Sequence, residues 1–250
     1  MLVDEGKLEW DRPVREYLPW FRLYDPVATD FITIRDMLSH RSGLPRYDFL
    51  RFAVPLEREE LMRRLRYLEP NASFRATYQY NNLMYVAAGY LEGALAGSTW
   101  EEAVAQRILG PLRMEASNTS VLISQKSADY ARPHEVKAGE AVELPFYDYQ
   151  RFGVGPNGAV NSTVPDMLRY LEFQMNEGKV GGRQLVSPAQ MRQMHTSQVV
   201  IGDLSTTGLG WNVEAWQGRK LVSHGGSITG FTAWMRSEEH TSELQSLSHL

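Results

Sequence analysis

Tyr80-Asn81-Asn82 sets a phenol and two carboxamides together just ahead of a segment with the periodicity of a helix. A tyrosine at the entry to a helix lies near the positive end of the helix dipole, which favours the phenolate and suits a general base. The structural reading of the same residues is a helix N-cap by Asn81 or Asn82, and the two readings are compatible. His224-Gly225-Gly226-Ser227 is the second constellation. Two glycines in a strand would let a substrate lie along its edge, with a backbone N–H near Ser227 available to an oxyanion. A plain glycine turn is the competing reading. Ser39-His40 has the residue types of a nucleophile and its base. Neighbours on a helix point about 100° apart and rarely meet, so this pair reads as helix-end structure.

Other chemistries are missing. The chain has no G-x-S-x-G nucleophile elbow, no H-E-x-x-H and no phosphate-cradling G-x-x-x-x-G-K-[ST] glycine loop. Its histidines are His40, His134, His195, His224, His240 and His249, none spaced three or four apart. Neither a metal nor a cofactor is therefore expected. A net charge of -4 with scattered basic residues excludes an electrostatic footprint for nucleic acid or an anionic membrane surface. No apolar run reaches the roughly 20 residues needed to cross a bilayer. With no cysteine, disulfides and thiol nucleophiles are excluded, and the compartment stays open.

The elements that must position these residues are mostly helical at first. Residues 1–8 read as a last helical turn stopped by Gly6, and Asp11 with Pro13 opens a short helix. Thr33-Ile34-Arg35-Asp36 has the order of a capping box, and that helix stops at Ser42-Gly43-Leu44-Pro45. A helix over 57–68 carries Leu61, Leu65 and Leu68 on one face. In 82–95, Leu83, Val86, Ala87, Tyr90, Leu91 and Ala94 follow the i, i+3, i+4, i+7 template. Thr99 caps the next helix, which Gly110-Pro111 ends. Over 131–158 the periodicity fails, and Phe146, Tyr147, Tyr149 and Phe152 crowd a long loop with a hairpin expected around Gly139. Loops of that length often form functional walls, and ordinary surface packing is the alternative. Helices follow over 163–175 and 187–195. Only then does period two appear, at Leu209, Trp211, Val213 and Ala215, again at 221–223, and at Phe231, Ala233 and Met235. Helices first and strands last predict an α+β organisation.

These pieces, in this order, resemble the family of serine β-lactamases and penicillin-binding proteins, with its class C β-lactamases, D-alanyl-D-alanine carboxypeptidases and esterases. The resemblance rests on 1–8, Leu38-Ser39-His40-Arg41-Ser42-Gly43-Leu44-Pro45, Tyr80-x-Asn82 and Pro111-Leu112-Arg113-Met114. It continues through Gly158-Ala159-Val160-Asn161-Ser162-Thr163, Gly208-Leu209-Gly210-Trp211 and His224-Gly225-Gly226. It implies a β-lactamase/transpeptidase-like α+β fold, a helical region with an antiparallel sheet. It also implies an S-x-x-K serine and lysine that form an acyl-enzyme later released by water. Carried onto this chain, it makes Tyr80 the proton shuttle and Asn82 a binder of the substrate amide. It sets His224 where many relatives have the lysine of K-T-G, beside substrate-binding Gly225 and Gly226, with Ser227 offering its backbone N–H.

Lys7, Lys126, Lys137, Lys179 and Lys220 follow Asp4, Ile123, His134, Asn176 and Gln217 by three positions, so the 250 residues hold no S-x-x-K. Because 1–8 resembles the part of the family just after that motif, the nucleophile and two N-terminal strands are expected outside this chain. The segment 236–246 lacks strand alternation and resembles the translation of a sequencing adapter. The expectation is therefore a partial catalytic domain over 1–235 and a non-native, flexible tail over 236–250, with sheet strands missing at both ends. The implied function is a serine acyl hydrolase of a β-lactam, D-amino-acid peptide or ester, inactive as this fragment. The alternative is a non-catalytic ligand-binding module of the same fold. The resemblance implies a periplasmic or extracellular location and a small-molecule or peptide substrate.

Overall fold

The computed structural model describes residues 1–239 apart from 49, 51–54, 150 and 204. The first turn closes as its sequence predicts, with Gly6 at φ 68° and the Lys7 amide donating to the Leu2 carbonyl. Short helices α1 (Val14–Tyr17), α2 (Pro26–Phe31) and α3 (Ile34–Leu38) follow. Thr33 and Asp36 form the expected capping box on α3. Helix α4 (Arg58–Arg64) tightens into a 3₁₀ turn over Leu65–Tyr67.

Helix α5 (Asn82–Ala96) runs 15 residues from the Asn81 cap to Gly97 at φ 71°. Its buried face is wider than the template, because Met84 and Ala88 join Leu83, Val86, Ala87 and Leu91, while Ala94 is exposed. Helices α3 and α4 and the 155–157 turn all pack against it. At Gly89 a Cβ would fall 2.5 Å from Pro156, so only glycine admits that turn. Helix α6 (Trp100–Val104), capped by Thr99 and Glu102, continues as a π turn to Leu109. Beyond it come α7 (Val121–Ser124), α8 (Val164–Met175, capped by Thr163) and α9 (Pro188–Met194, capped by Ser187).

The predicted hairpin is β1 (His134–Lys137) with β2 (Glu140–Glu143), turning at Ala138 and Gly139, both at positive φ. Strands β3 (Lys179–Val180) and β4 (Arg183–Gln184) form another. The main sheet is an antiparallel meander of β5 (Val199–Gly202), β6 (Ser205–Thr207), β7 (Asn212–Trp216), β8 (Arg219–Ile228) and β9 (Phe231–Glu239). Helices followed by a sheet confirm the α+β class.

Where the sequence predicts the ordered chain to end at Met235, β9 continues. Arg236 pairs with Ser223, Ser237 with Val222, Glu238 with Leu221 and Glu239 with Lys220. Ser237 is buried, and Arg236 lies 5.2 Å over the Trp216 ring. Backbone pairing does not require apolar alternation, so 236–239 extend the sheet despite their polar side chains. Strand β9 thus runs four residues past Met235, and 240–250 lie outside the described residues.

Two apolar clusters result. The main one reaches from Leu2 to Met191 and includes Phe21, Ile32, Met37, Met62, Leu65, Met84 and Leu91. A small one of Trp211, Val213 and Val222 supports the sheet, with Tyr170, Met194 and Met235 packed against it. No described helix is long and apolar enough to cross a membrane.

Candidate active site

The helix-side wall begins where two distant loops are tied together. Gly43 sits at φ 82°, and a Cβ there would fall 2.4 Å from the Ala72 carbonyl oxygen. The Asn71 amide donates to the Gly43 carbonyl, Arg75 to that of Arg41 and Gln79 to that of His40. These bonds lay the segment after α3 alongside the segment that enters α5. Asn81 completes the join. Its Oδ1 accepts from the Met84 amide at 3.1 Å, its Nδ2 donates to the Pro45 carbonyl at 2.6 Å, and its own amide donates to His40 Nδ1 at 3.0 Å. The cap reading of Asn81 therefore holds, and Asn82 is the first helical residue.

His40 has a part in this wall that sequence reasoning missed. Ser39 behaves as helix-end structure, its Oγ donating to the Arg35 carbonyl at 2.7 Å. His40 itself, at φ 58°, turns its buried ring under the tyrosines. The ring centroid lies 4.4 Å from that of Tyr80, 5.0 Å from Tyr85 in a stacked pair, and 5.4 Å from Tyr78 edge-on. Because Nδ1 accepts a bond, the neutral ring carries its proton on Nε2. Burial, with the charges of His224 and Arg46, pushes this histidine down to about 3, so it stays neutral. No spacing rule could have paired residues about 40 positions apart.

Two charged residues complete the wall. The Arg46 guanidinium stands 4.8 Å from the Tyr80 ring centroid and pairs with Asp48 at 2.6 Å. Asp48 Oδ1 accepts from Asn82 Nδ2 at 2.8 Å. The loop that begins at Gly43 thus holds both chemical residues of the Y-x-N motif.

The strand-side wall is β8. His224 to Ser227 form part of a continuous strand, which excludes the glycine-turn reading. Arg219 pairs with Trp216 across a two-residue turn, and successive residues then face alternate neighbours. Gly225 and Ser227 fall on the β7 side. Strand β7 begins at Asn212, opposite Ser223, so these two positions present backbone groups on an edge beyond the start of β7. A Cβ on Gly225 would meet the Trp234 ring at 2.7 Å, whereas one on Gly226 would lie 3.7 Å from Ala233. Gly225 is therefore fixed by a cross-strand indole, and Gly226 leaves ordinary room.

His224 shares its strand face with Val222, and burial pushes its imidazole below the ordinary range, opposed by a bond to the Gly225 backbone. Its charge reaches His40, which joins the strand-side wall to the helix-side wall. The aromatic loop flanks the far end of β8. Phe146, Tyr147 and Tyr149 line a cavity with Thr119, Ala159, Ile228 and Phe231. The loop expected as a wall borders the strand directly past Ser227.

The sequence model of the family described as Beta-lactamase matches residues 1–242. Among curated proteins, an unguisins hydrolase of Aspergillus campestris is 29% identical over 92% of this chain and 46% of its own length. Penicillin-binding protein 4 of Amycolatopsis lactamdurans is 26% identical, covering 94% of this chain and 64% of that protein. Among solved structures, the octameric penicillin-binding protein homologue from Pyrococcus abyssi superposes with a TM-score of 0.82 at 25% identity. That match covers 95% of this chain and 55% of the other. A class C β-lactamase shares the fold at a TM-score of 0.76 and 21% identity, over 94% of this chain and 68% of its own. The chain spans about half the length of the unguisins hydrolases it matches.

Proposed function

We propose, from the premise that the chain belongs to the Beta-lactamase family, that its protein is a serine acyl hydrolase to which these residues contribute two walls of the active site. The relatives are hydrolases and penicillin-binding proteins of a shared fold. The observation that carries the reading is the setting of Tyr80, held between the neutral His40 ring and the Arg46 guanidinium at the entry to α5. A cation and a helix N-terminus beside a phenol both favour its phenolate, which suits proton transfer at neutral pH.

In this mechanism a serine outside these 250 residues attacks the substrate carbonyl. Tyr80 takes the serine proton and returns it to the leaving nitrogen or oxygen as the acyl-enzyme forms, and water then releases the acyl group. Asn82 holds the substrate amide. His224, whose imidazole burial holds below the ordinary range, donates a hydrogen bond to the substrate where a lysine would supply a charge. Ser227, on the open edge of β8, offers its backbone N–H to the oxyanion, and Gly225 and Gly226 leave that edge uncovered. The substrate class is a β-lactam, a D-amino-acid peptide or an ester.

The test begins by reading the gene across both ends of the 250 residues and expressing the full reading frame. Mass spectrometry with a β-lactam and an activated-ester probe should find an acyl adduct on the full protein and none on the 250-residue chain. Tyr80→Phe keeps the ring against His40 and removes the proton-transfer group, so turnover of a chromogenic ester should fall about 10²- to 10⁴-fold while folding persists. Serine-dependent labelling of the 250-residue chain, or full activity in Tyr80→Phe, would sink the assignment. A complete gene without S-x-x-K that still binds ligand would favour the non-catalytic module.

A further inference from the structure

The aromatic loop is clamped to the far end of β8 by residues that the chain itself supplies. Gly230, in the β8–β9 turn at φ 75°, admits no side chain, since a Cβ there would fall 2.4 Å from that of Pro133. Its carbonyl accepts from the His134 amide at 3.0 Å, and the Leu144 amide closes the base of the hairpin on the Pro133 carbonyl at 2.8 Å. The Phe146 ring then reaches that of Phe231, with centroids 6.1 Å apart. On the other side Tyr147 stands edge-on to Tyr149 at 4.7 Å and stacks on Phe152 at 4.9 Å. Between the loop and Ile228 and Thr229 lies the cavity beyond Ser227.

The lining of this cavity is aromatic and carries one charge. Phe146, Tyr147, Tyr149 and Phe231 supply ring surface, and Asp148 is the one charged residue among those that line it. Asp148 Oδ1 accepts from the Arg151 amide at 3.4 Å, which anchors the carboxylate in the loop. Ring faces are negative, and with a carboxylate beside them they favour a cation over a neutral group of the same size. We propose that this cavity is a subsite for an ammonium group carried by the ligand. The inference rests on reading β8 as the substrate edge, and it deepens that reading by naming a charge on the ligand. A strand rises about 3.3 Å per residue, so 228 and 229 lie roughly 3–7 Å past the Ser227 amide. An amine roughly two to four atoms from a carbonyl held at that amide spans the distance.

The experiment uses two probes that differ only in an ammonium exchanged for a methyl group, 4-aminobutanamide and pentanamide. Binding at neutral pH to the 250-residue chain and to the product of the full reading frame is followed by chemical-shift titration, so no acylation is required. The ammonium probe should bind about fivefold or more tightly than pentanamide, with shifts at Thr119, Ile228 and Thr229. Asp148→Asn keeps the shape of the side chain, removes its charge and should bring the two affinities within about twofold. Phe146→Leu keeps an apolar surface but removes a ring face, and should weaken the ammonium probe more than pentanamide.

Equal affinity for the two probes, tighter binding of pentanamide, shifts confined to residues outside the cavity, or binding of neither overturns the proposal. So does a preference that Asp148→Asn leaves unchanged, or one that the 250-residue chain shows and the full protein does not. Asp148→Asn alone decides the case in which Phe146→Leu does not fold. Failure of the full protein to acylate would sink the catalytic reading and leave this preference standing.

Discussion

Asn82 and His224 stand on opposite walls of the site and rest on different foundations. Asn82 opens a 15-residue helix whose next residues, Leu83 and Met84, enter the main core. His224 follows Val222 and Ser223 in a strand whose supporting cluster is Trp211, Val213 and Val222. The helix-side wall is also cross-tied, with Asn81 alone bonding to His40, Pro45 and Met84. The strand-side wall continues past the start of β7, where β9 is its one strand partner among the described residues. On the proposed function, the difference separates two tasks. Fixing a proton-transfer group and an amide needs rigid surroundings, whereas admitting a substrate along a strand needs an uncovered edge. Elements with fewer buried contacts open at lower free energy, so the β8 tip should be the more mobile wall.

The largest expected effect tests the two foundations directly. Met84 and Val222 are both fully buried. Met84→Ala should cost about 2–5 kcal/mol of stability in urea unfolding, since it opens a cavity in the main core. Val222→Ala removes less volume beside a smaller cluster and should cost about 1–2 kcal/mol. Equal losses would break the comparison.

A second effect sharpens the helix-side wall. Folding lowers the His40 pKa from its ordinary value to about 3, so between those values the unfolded chain binds a proton that the native chain does not. Stability from this residue is fully present above about 6.5 and is lost as pH falls toward 3. The slope is up to about 1.4 kcal/mol per pH unit. Unfolding measured from pH 7 to 4 should show it, and His40→Gln should flatten it. An unchanged slope in that variant would mean His40 is not held neutral.

Smaller effects belong to the strand side. Ending the chain after Met235 deletes the pairing of 236–239 with 220–223 and should cost more than about 1 kcal/mol, where an unpacked tail would cost nothing. Urea midpoints of the two lengths settle it. Gly225→Ala should cost about 1 kcal/mol, because the Trp234 indole must leave its rotamer. Gly226→Ala should stay within about 0.5 kcal/mol. Trp234→Ala should relieve the Gly225→Ala penalty, and a full double-mutant cycle without coupling would remove the indole as the reason for that glycine.

Much of the architecture was legible in local chemistry. The capping boxes at Thr33 and Thr99, the caps at Thr163 and Ser187 and the turn at Gly139 each satisfy groups within a few residues, so the sequence alone could place them. Strands β5 and β6 were not legible, since Ser205-Thr206-Thr207 carries no apolar alternation and gains its order from neighbours on both sides. The end of β9 was not legible for the same reason. Its polar residues are held by backbone bonds to β8, which a pattern of side chains does not report.

The site divides along the same line. The sequence by itself determined the helix cap at Asn81, the glycine pair at 225–226 and the order of motifs that marks the family. Those features rest on local backbone preferences and short spacings, which the chain carries wherever it folds. Only the tertiary structure decided that His40 lies beneath Tyr80 and that Asp48 turns the Asn82 carboxamide. It also decided that His224 sits close enough to His40 for its charge to be felt there. These contacts join residues 34 or more positions apart, and their geometry depends on how Gly43 docks against Ala72 and how α5 seats in the core. Long-range packing is cooperative, so no single spacing in the sequence encodes it.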